Sequence, residues 1–417
     1  MSQRSLQTSS TLSCFASAAC LMTCWLVAGV DSASAQGTGW FQRWPGRQDN
    51  VVQVACGQLT SYAVLDTGEV RAWGTNTSGQ IGDGTKEHRL TPVQVQELAN
   101  AVQVAAGERH ALAVTDDGKV YAWGSNKSWQ LGHGTFAEHL TPIQVPGIDT
   151  AVAVAAGDMH SLALLADGTV LGWGNNDFGQ LGDGTTVSRF WPAPVLDLSG
   201  VVTLEAGYFH NVARLDTGQV KAWGYNSVGQ LGNGTFGGVF TLPGYVLGPL
   251  GGPGYLTDVV QLSGGGLHNL AQVSNGTVYA WGANAHGQLG DGSYKKKPYP
   301  VPVNTSTGFD NAVLIEAGCV HSIGVGANFE LYVWGWNGFG QLGLPWHGYW
   351  DHEPLPVFHN LLTRLQITGV AGASMHTMLV DSSGHLWGMG NNNTGRLGDG
   401  TGDEIPIRDH PVQTYGF

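Results

Sequence analysis

The chain has 417 residues, with 31 acidic against 18 basic side chains, a formal net charge of −13, 64 Gly, 15 Trp and only 12% charged residues. A hydrophobic content of 42% excludes a disordered chain, and the Gly and Trp usage points to many short strands joined by tight turns. The acidic balance, with Lys295, Lys296 and Lys297 as its only basic cluster, would repel a phosphate backbone and argues against a nucleic-acid partner.

Residues 1–35 read as a secretory signal peptide: Arg4 in a short polar start, a largely apolar stretch from Leu12 to Val30, and Ala33-Ser34-Ala35 as a small-residue cleavage site before Gln36. An uncleaved anchor and a lipoprotein signal at Cys24 are the competing readings, although Thr23 before that Cys and Trp25-Leu26-Val27 after it fit the latter badly. The expected location is therefore secreted, extracellular or periplasmic, with no membrane span after cleavage. Cys14, Cys20 and Cys24 fall inside this segment, leaving Cys56 and Cys319 either as two buried free thiols or as a single bridge.

After an N-terminal segment over 36–50, one block recurs seven times: Ala-Gly-x-x-His, an apolar strand, an Asp-Gly turn, Trp-Gly, Asn-x-x-Gly-Gln-Leu-Gly and a Pro-Val strand. Its tryptophans are Trp73, Trp123, Trp173, Trp223, Trp281 and Trp334, with Met389 in the last copy, and the first four stand 50 residues apart. Within residues 101–150, strands are predicted over Ala101–Ala106, Ala111–Val114, Val120–Trp123 and Pro142–Val145. The Asp117-Gly118 pair marks a hairpin, because that turn needs φ > 0. A four-stranded sheet that is apolar on both faces must stack on neighbours, and closing the stack into a ring leaves no bare end. The expected fold is all-β: a seven-bladed β-propeller of about 50-residue repeats, four strands per blade, with blades at about 51–100, 101–150, 151–200, 201–258, 259–310, 311–363 and 364–417.

Trp-Gly-x-Asn-x-x-Gly-Gln-Leu-Gly followed by a Pro-Val strand resembles the repeat of the regulator of chromosome condensation family, over about residues 51–417. The resemblance implies a seven-bladed propeller, and the signal peptide suggests a secreted, bacterial-type member. The family's functions are diverse: an exchange factor for a small GTPase, domains of ubiquitin ligases and signalling proteins, and a secreted inhibitor of β-lactamases. The shared property is a rigid disc whose loops bind another protein.

His110, His160, His210, His268, His321 and His376 occupy one aligned position, with Thr60 in the first copy. Residues recurring once per blade cannot converge on one ion, so these are expected to be partly buried imidazoles bonded to local backbone rather than metal ligands. The tryptophans are expected to fill the space between blades. The aligned Asn76, Asn126, Asn176, Asn226, Asn284, Asn337 and Asn392 are expected to supply missing backbone partners in their loops. Gly182-Asp183-Gly184 and its counterparts read as turns, and the sequence holds no nucleophile elbow, zinc spacing or cofactor motif.

Recognition is expected where the repeat is broken, in one segment per copy between the Gly-x-Gly turn and the Pro-Val strand: Phe136, His139, Phe190, Trp191, Tyr294, Trp346, Tyr349 and Trp350, with Trp129 added where other copies mostly have Gly, form the candidate loop face. Such a face predicts a protein-binding propeller acting as a scaffold, adhesion module or enzyme inhibitor rather than an enzyme. Carbohydrate binding through the same aromatics is the first alternative. An exchange-factor-like regulator, or a hydrolase or lyase at the ring centre, is the second.

Overall fold

The computed structural model describes residues 50–417 apart from 307, 310, 328, 345–349 and 357–365, with only the backbone of 350–356. The predicted signal peptide and residues 36–49 lie outside this range. Seven antiparallel four-stranded sheets are formed, each from consecutive strands. They span 51–94, 101–144, 151–194, 201–245, 259–302, 314–356 and 367–413. In blade 1 the strands are Val51–Cys56, Thr60–Leu65, Val70–Gly74 and Arg89–Gln94, from the ring axis outward. The inner strand of each blade neighbours that of the next, and those of blades 7 and 1 close the circle. Among the described residues no strand is exchanged across the seam, and the two blades meet there by side-by-side packing and side-chain hydrogen bonds.

Each of the seven hydrophobic clusters draws on two adjacent blades. The six repeat tryptophans are fully buried there. Each indole Nε1 donates to a backbone carbonyl of the preceding blade: Trp123 to Gln80, Trp173 to Gln130, Trp223 to Gln180, Trp281 to Gln230, Trp334 to Gln288, and Trp73 across the seam to Arg396. Within each blade the aligned Asn caps its own loop, its Oδ1 accepting the N–H five residues on, from Ile81 in blade 1 through Leu397 in blade 7.

The histidines depart from expectation. They are fully buried, and their partners are side chains of the next blade rather than local backbone. His110 meets Ser161, His160 meets Asn211, His210 meets Asn269, His268 meets Ser322, His321 meets Thr377 and His376 meets Ser61, at 2.7–3.0 Å. Ser161 Oγ itself donates to Gln130 O, so it accepts the Nε2 proton of His110. Nδ1 of all six rings is buried without a partner. Burial lowers their proton affinity, to about 3 for His110 and His268 and about 4 for His160, His210 and His321, so they are neutral struts between blades.

One interface breaks this code. Blade 1 has Thr60 for the histidine, and blade 2 has Ala111 where the acceptor would be. Tyr62 fills the gap: its hydroxyl donates to Gln80 O at 2.6 Å, beside the Trp123 bond to the same carbonyl. Tyr62→Phe is expected to cost about 1 kcal/mol, and adding Ala111→Ser should restore most of it, because Ser reaches the equivalent carbonyl elsewhere. Urea unfolding of both variants measures this, and a null effect of Tyr62→Phe would refute the substitution of one bond for the other.

The outer strand begins earlier than expected, at His139 in blade 2 and Arg189 in blade 3, because each pairs with the Gly after the repeat Trp. Phe190 and Trp191, assigned above to a loop, therefore lie on the outer strand of blade 3. Every outer strand carries proline, from Pro92 in blade 1 to Pro411 in blade 7. Each exposed edge thus lacks at least one backbone donor, which disfavours strand addition.

Candidate binding face

Alternation of strand direction puts the connections from inner to second strand, and from third to outer strand, on one face of the disc. The Asp-Gly hairpins lie on the other. The first of these connections is the x-x of Ala-Gly-x-x-His, and it brings Gln58, Glu108, Asp158, Tyr208, Gly266 and Cys319 around the axis. Backbone bonds link neighbours around this mouth: Glu108 N to Asp158 O, Asp158 N to Tyr208 O, Tyr208 N to Gly266 O, Gly266 N to Gly318 O and Cys319 N to Ala373 O. Such close approach requires glycine: a Cβ on Gly157 would lie 2.1 Å from Cε1 of His160 and 2.6 Å from Gly207 O.

Gln58 Nε2 reaches across from blade 1 to Asp158 Oδ1 of blade 3 at 2.6 Å. The Asp158 carboxyl is pushed up to about 7 by burial and by Glu108, against the lowering effect of Gln58. Cys56 and Cys319 are both free and line the same axial cavity, and burial raises both thiols, Cys319 to about 12. They are unreactive protonated thiols. The cavity, walled mostly by Gly and Ala, has an internal volume of about 80 Å³, whereas pockets for drug-sized ligands run from roughly 300 Å³ upward. The axial cavity is thus smaller than such pockets.

The rim of the same face is aromatic. Trp129 meets Phe136 with ring centres 4.8 Å apart and Phe190 at 6.2 Å, and Phe190 lies 6.3 Å from Trp191. Phe136, Phe190 and Trp191 are 62%, 48% and 45% exposed. Trp191 also covers Gly134, where a Cβ would come within 2.3 Å of its ring. His139 adjoins this cluster through His133, Nε2 to Nε2 at 3.1 Å. Four aromatics of the expected set, from blades 2 and 3, thus form one exposed patch. Tyr294 is exposed but belongs to blade 5 and is not part of it. Trp346 and Tyr349 lie outside the described residues, as does the side chain of Trp350, whose backbone begins the outer strand of blade 6 opposite Trp336.

Trp129 sits where the other six copies have glycine, and it keeps the glycine's left-handed backbone. Its φ is 61°, against 78° at Gly79 and 71° at Gly179. A side chain there costs roughly 1–2 kcal/mol, so the large ring is held at the expense of stability.

A second aromatic group was not anticipated. Phe178, Phe209 and Tyr225 pack with ring centres 4.6–6.5 Å apart between blades 3 and 4, and Tyr208 joins them to the axial mouth. All four are half-buried. Variation at the x-x positions between copies was the available signal.

Fold and face together define a closed seven-bladed propeller that presents an asymmetric aromatic surface on one side. The family profile of the RCC1-like domain matches residues 29–324, and that of the regulator of chromosome condensation (RCC1) repeat matches residues 330–380. The chain belongs to this family. It is 33% identical over 142 residues, 34% of its length, to the ultraviolet-B receptor UVR8 of Arabidopsis thaliana. It is also 33% identical over 143 residues to the human E3 ubiquitin-protein ligase HERC2. The matched stretches span 31% and 3% of those proteins. Among solved structures, human WBSCR16 superposes with a TM-score of 0.73 at 23% identity, covering 83% of this chain and 94% of that one. Yeast RCC1 (Prp20), solved bound to Kap60, superposes with a TM-score of 0.68 at 24% identity, covering 78% of each chain. At these identities the structural likeness speaks for the fold alone.

Proposed function

We propose that this propeller is a protein-binding scaffold that captures its partner through the aromatic rim of blades 2 and 3, with Trp129, Phe136, Phe190 and Trp191 as the anchor. The observation that carries this is the strained, half-buried Trp129, since a residue held against its backbone preference beneath the exposed rings of Phe136 and Phe190 points to use in recognition. Proline on every outer strand disfavours strand addition as the docking mode, and the small axial cavity leaves the rim as the larger accessible apolar surface. The yeast relative crystallised with Kap60, and a further structure of it described with its binding to Gsp1p and histones, are precedents for protein capture by this fold. The segment at 1–35 places the capture outside the cytoplasm in this reading, where the partner is an enzyme to be inhibited or a surface component to be organised.

Trp129→Gly tests the proposal in a way that separates binding from folding. The variant restores the repeat consensus and is expected to gain about 1 kcal/mol of stability, while losing the partner recovered by the parent protein in pull-downs from the native secreted fraction. A variant that is more stable and still binds equally well would move recognition away from this rim.

A further inference from the structure

We propose that His133 and His139 form a divalent transition-metal site, selective for cations of the Zn²⁺ class, on the loop of blade 2 that carries Phe136. This goes beyond the binding role proposed above and stands whether or not the rim captures a protein.

The sibling blades show what is unusual about the pair. At the centre of the Gly-x-Gly turn, blades 1, 3 and 7 place an Asp that binds an Arg of the outer strand: Asp83 with Arg89, Asp183 with Arg189 and Asp399 with Arg408. Blade 5 does the same with Asp291 and Lys297 at 3.1 Å. A Thr or Ser two residues after the Asp bonds its carboxylate in each: Thr85, Thr185, Ser293 and Thr401. Blade 2 keeps the Thr, as Thr135, but replaces both charges with imidazoles, His133 for the acid and His139 for the base. A loop tied by an ion pair elsewhere is here tied by two neutral ligands.

The two rings already meet through Nε2 as a hydrogen-bonded pair, whose shared proton a metal ion would displace. The Nε2 atoms are 3.1 Å apart, and two Zn–N bonds of about 2.0–2.1 Å at angles between square and tetrahedral separate their nitrogens by about 3.0–3.4 Å. The ring centres are 4.6 Å apart with planes at 88°, whereas a straight N–H···N bond of this length would set them about 5.4 Å apart. The rings are folded toward each other. Thr135 Oγ1 lies 2.8 Å from His133 Nε2, on the same side.

The tautomer this requires is open to His133. Asn126 Oδ1 accepts from Leu131 N–H, which turns the Nδ2 donor toward His133 Nδ1 at 3.5 Å, so the Nδ1-protonated tautomer that frees Nε2 gives up only this long contact. Partial burial lowers the proton affinity of both imidazoles, and of His133 further through His139, which leaves the ligating pairs available at neutral pH. Glu138, next in the chain to His139, is paired with Lys86. Among the described residues no three His, Cys, Asp or Glu side chains converge. The protein thus supplies two imidazoles, and the Thr135 hydroxyl and water complete the shell. A bound ion would fix the loop that stacks Phe136 on Trp129.

The test is calorimetric titration of the metal-stripped full chain with Zn²⁺ at pH 7.5, beside a His133→Asp/His139→Arg variant that installs the ion pair of the sibling blades and so keeps the loop tied. The parent is expected to take up one equivalent more than the variant, with affinity falling about tenfold at pH 5.5 as the imidazoles protonate. Cu²⁺ loaded at one equivalent should show coupling to two nitrogens by electron paramagnetic resonance, lost in the variant. Equal uptake by parent and variant, or a one-nitrogen spectrum, would overturn the proposal. Should the double variant fold poorly by circular dichroism, His139→Gln serves in its place, and retention of the extra equivalent there overturns the site equally.

Discussion

Acidification is expected to unfold the propeller cooperatively between about pH 6 and pH 4.5, with a net uptake of about four protons. The six strut histidines are neutral in the ring, held by burial at about 3 to 4 or, for His376, well below the ordinary 6.5. In the unfolded chain they titrate near 6.5. Stability that is full above that pH is therefore lost as pH falls toward the folded values, by up to about 1.4 kcal/mol per pH unit for each ring. Asp158 and Glu316 act in the opposite sense: both are raised to about 7 by burial, so the folded state keeps two protons that unfolded carboxyls release above 3.8 and 4.5. Six against two leaves about four protons, or about 5 kcal/mol per pH unit at the steepest. For a domain stable by the usual 5–15 kcal/mol, one to three such units are enough. Circular dichroism of urea unfolding at stepped pH measures the slope. Constant stability from pH 7 to pH 5 would show that the histidines are not the buried neutral struts described.

The second large effect separates the two kinds of aromatic residue in this chain. Trp223→Ala is expected to destabilise by about 3–5 kcal/mol, because the ring is fully buried between blades 3 and 4 and its Nε1 bond to Gln180 O is lost with it. Asn211 still donates to that carbonyl, so the main loss is packing rather than an orphaned acceptor. Trp191→Ala removes a side chain of the same size from an exposed site, and the expected change is within about 0.5 kcal/mol. Thermal unfolding of the two variants side by side measures the contrast. Comparable losses at both sites would mean that the rim patch is part of the core and would weaken its assignment as a binding surface.

Much of this was legible in the repeat. Residues that act inside one blade show themselves by recurrence: the hairpin turns, Asp-Gly in several copies, and the Asn that caps its own loop in all seven. The break at Trp129 was legible too, as a large residue where glycine recurs. What recurrence could not show was the partner of a residue whose bond crosses to the next blade. His160 and Asn211 are 51 residues apart and meet only because two sheets stack. The joint departure of Thr60, Ala111 and Tyr62 from the pattern has meaning only once blades 1 and 2 are known to touch at Gln80. For the same reason Phe190 and Trp191 read as loop residues: the bulge that lets the outer strand start at Arg189 is set by pairing with Gly174.

The sequence by itself determined the number of blades, the strands within each and the need for the stack to close, because hydrophobic period, turn glycines and copy number are local properties. The tertiary structure decided which residues share a surface. It brought Trp129, Phe136, Phe190 and Trp191 into one patch and left Tyr294 apart. It also closed the axis to about 80 Å³ and brought the Nε2 atoms of His133 and His139 to 3.1 Å. Those outcomes depend on distances across interfaces between blades, which are fixed by how glycine-tight inner strands and buried tryptophans pack, and no single repeat contains that information.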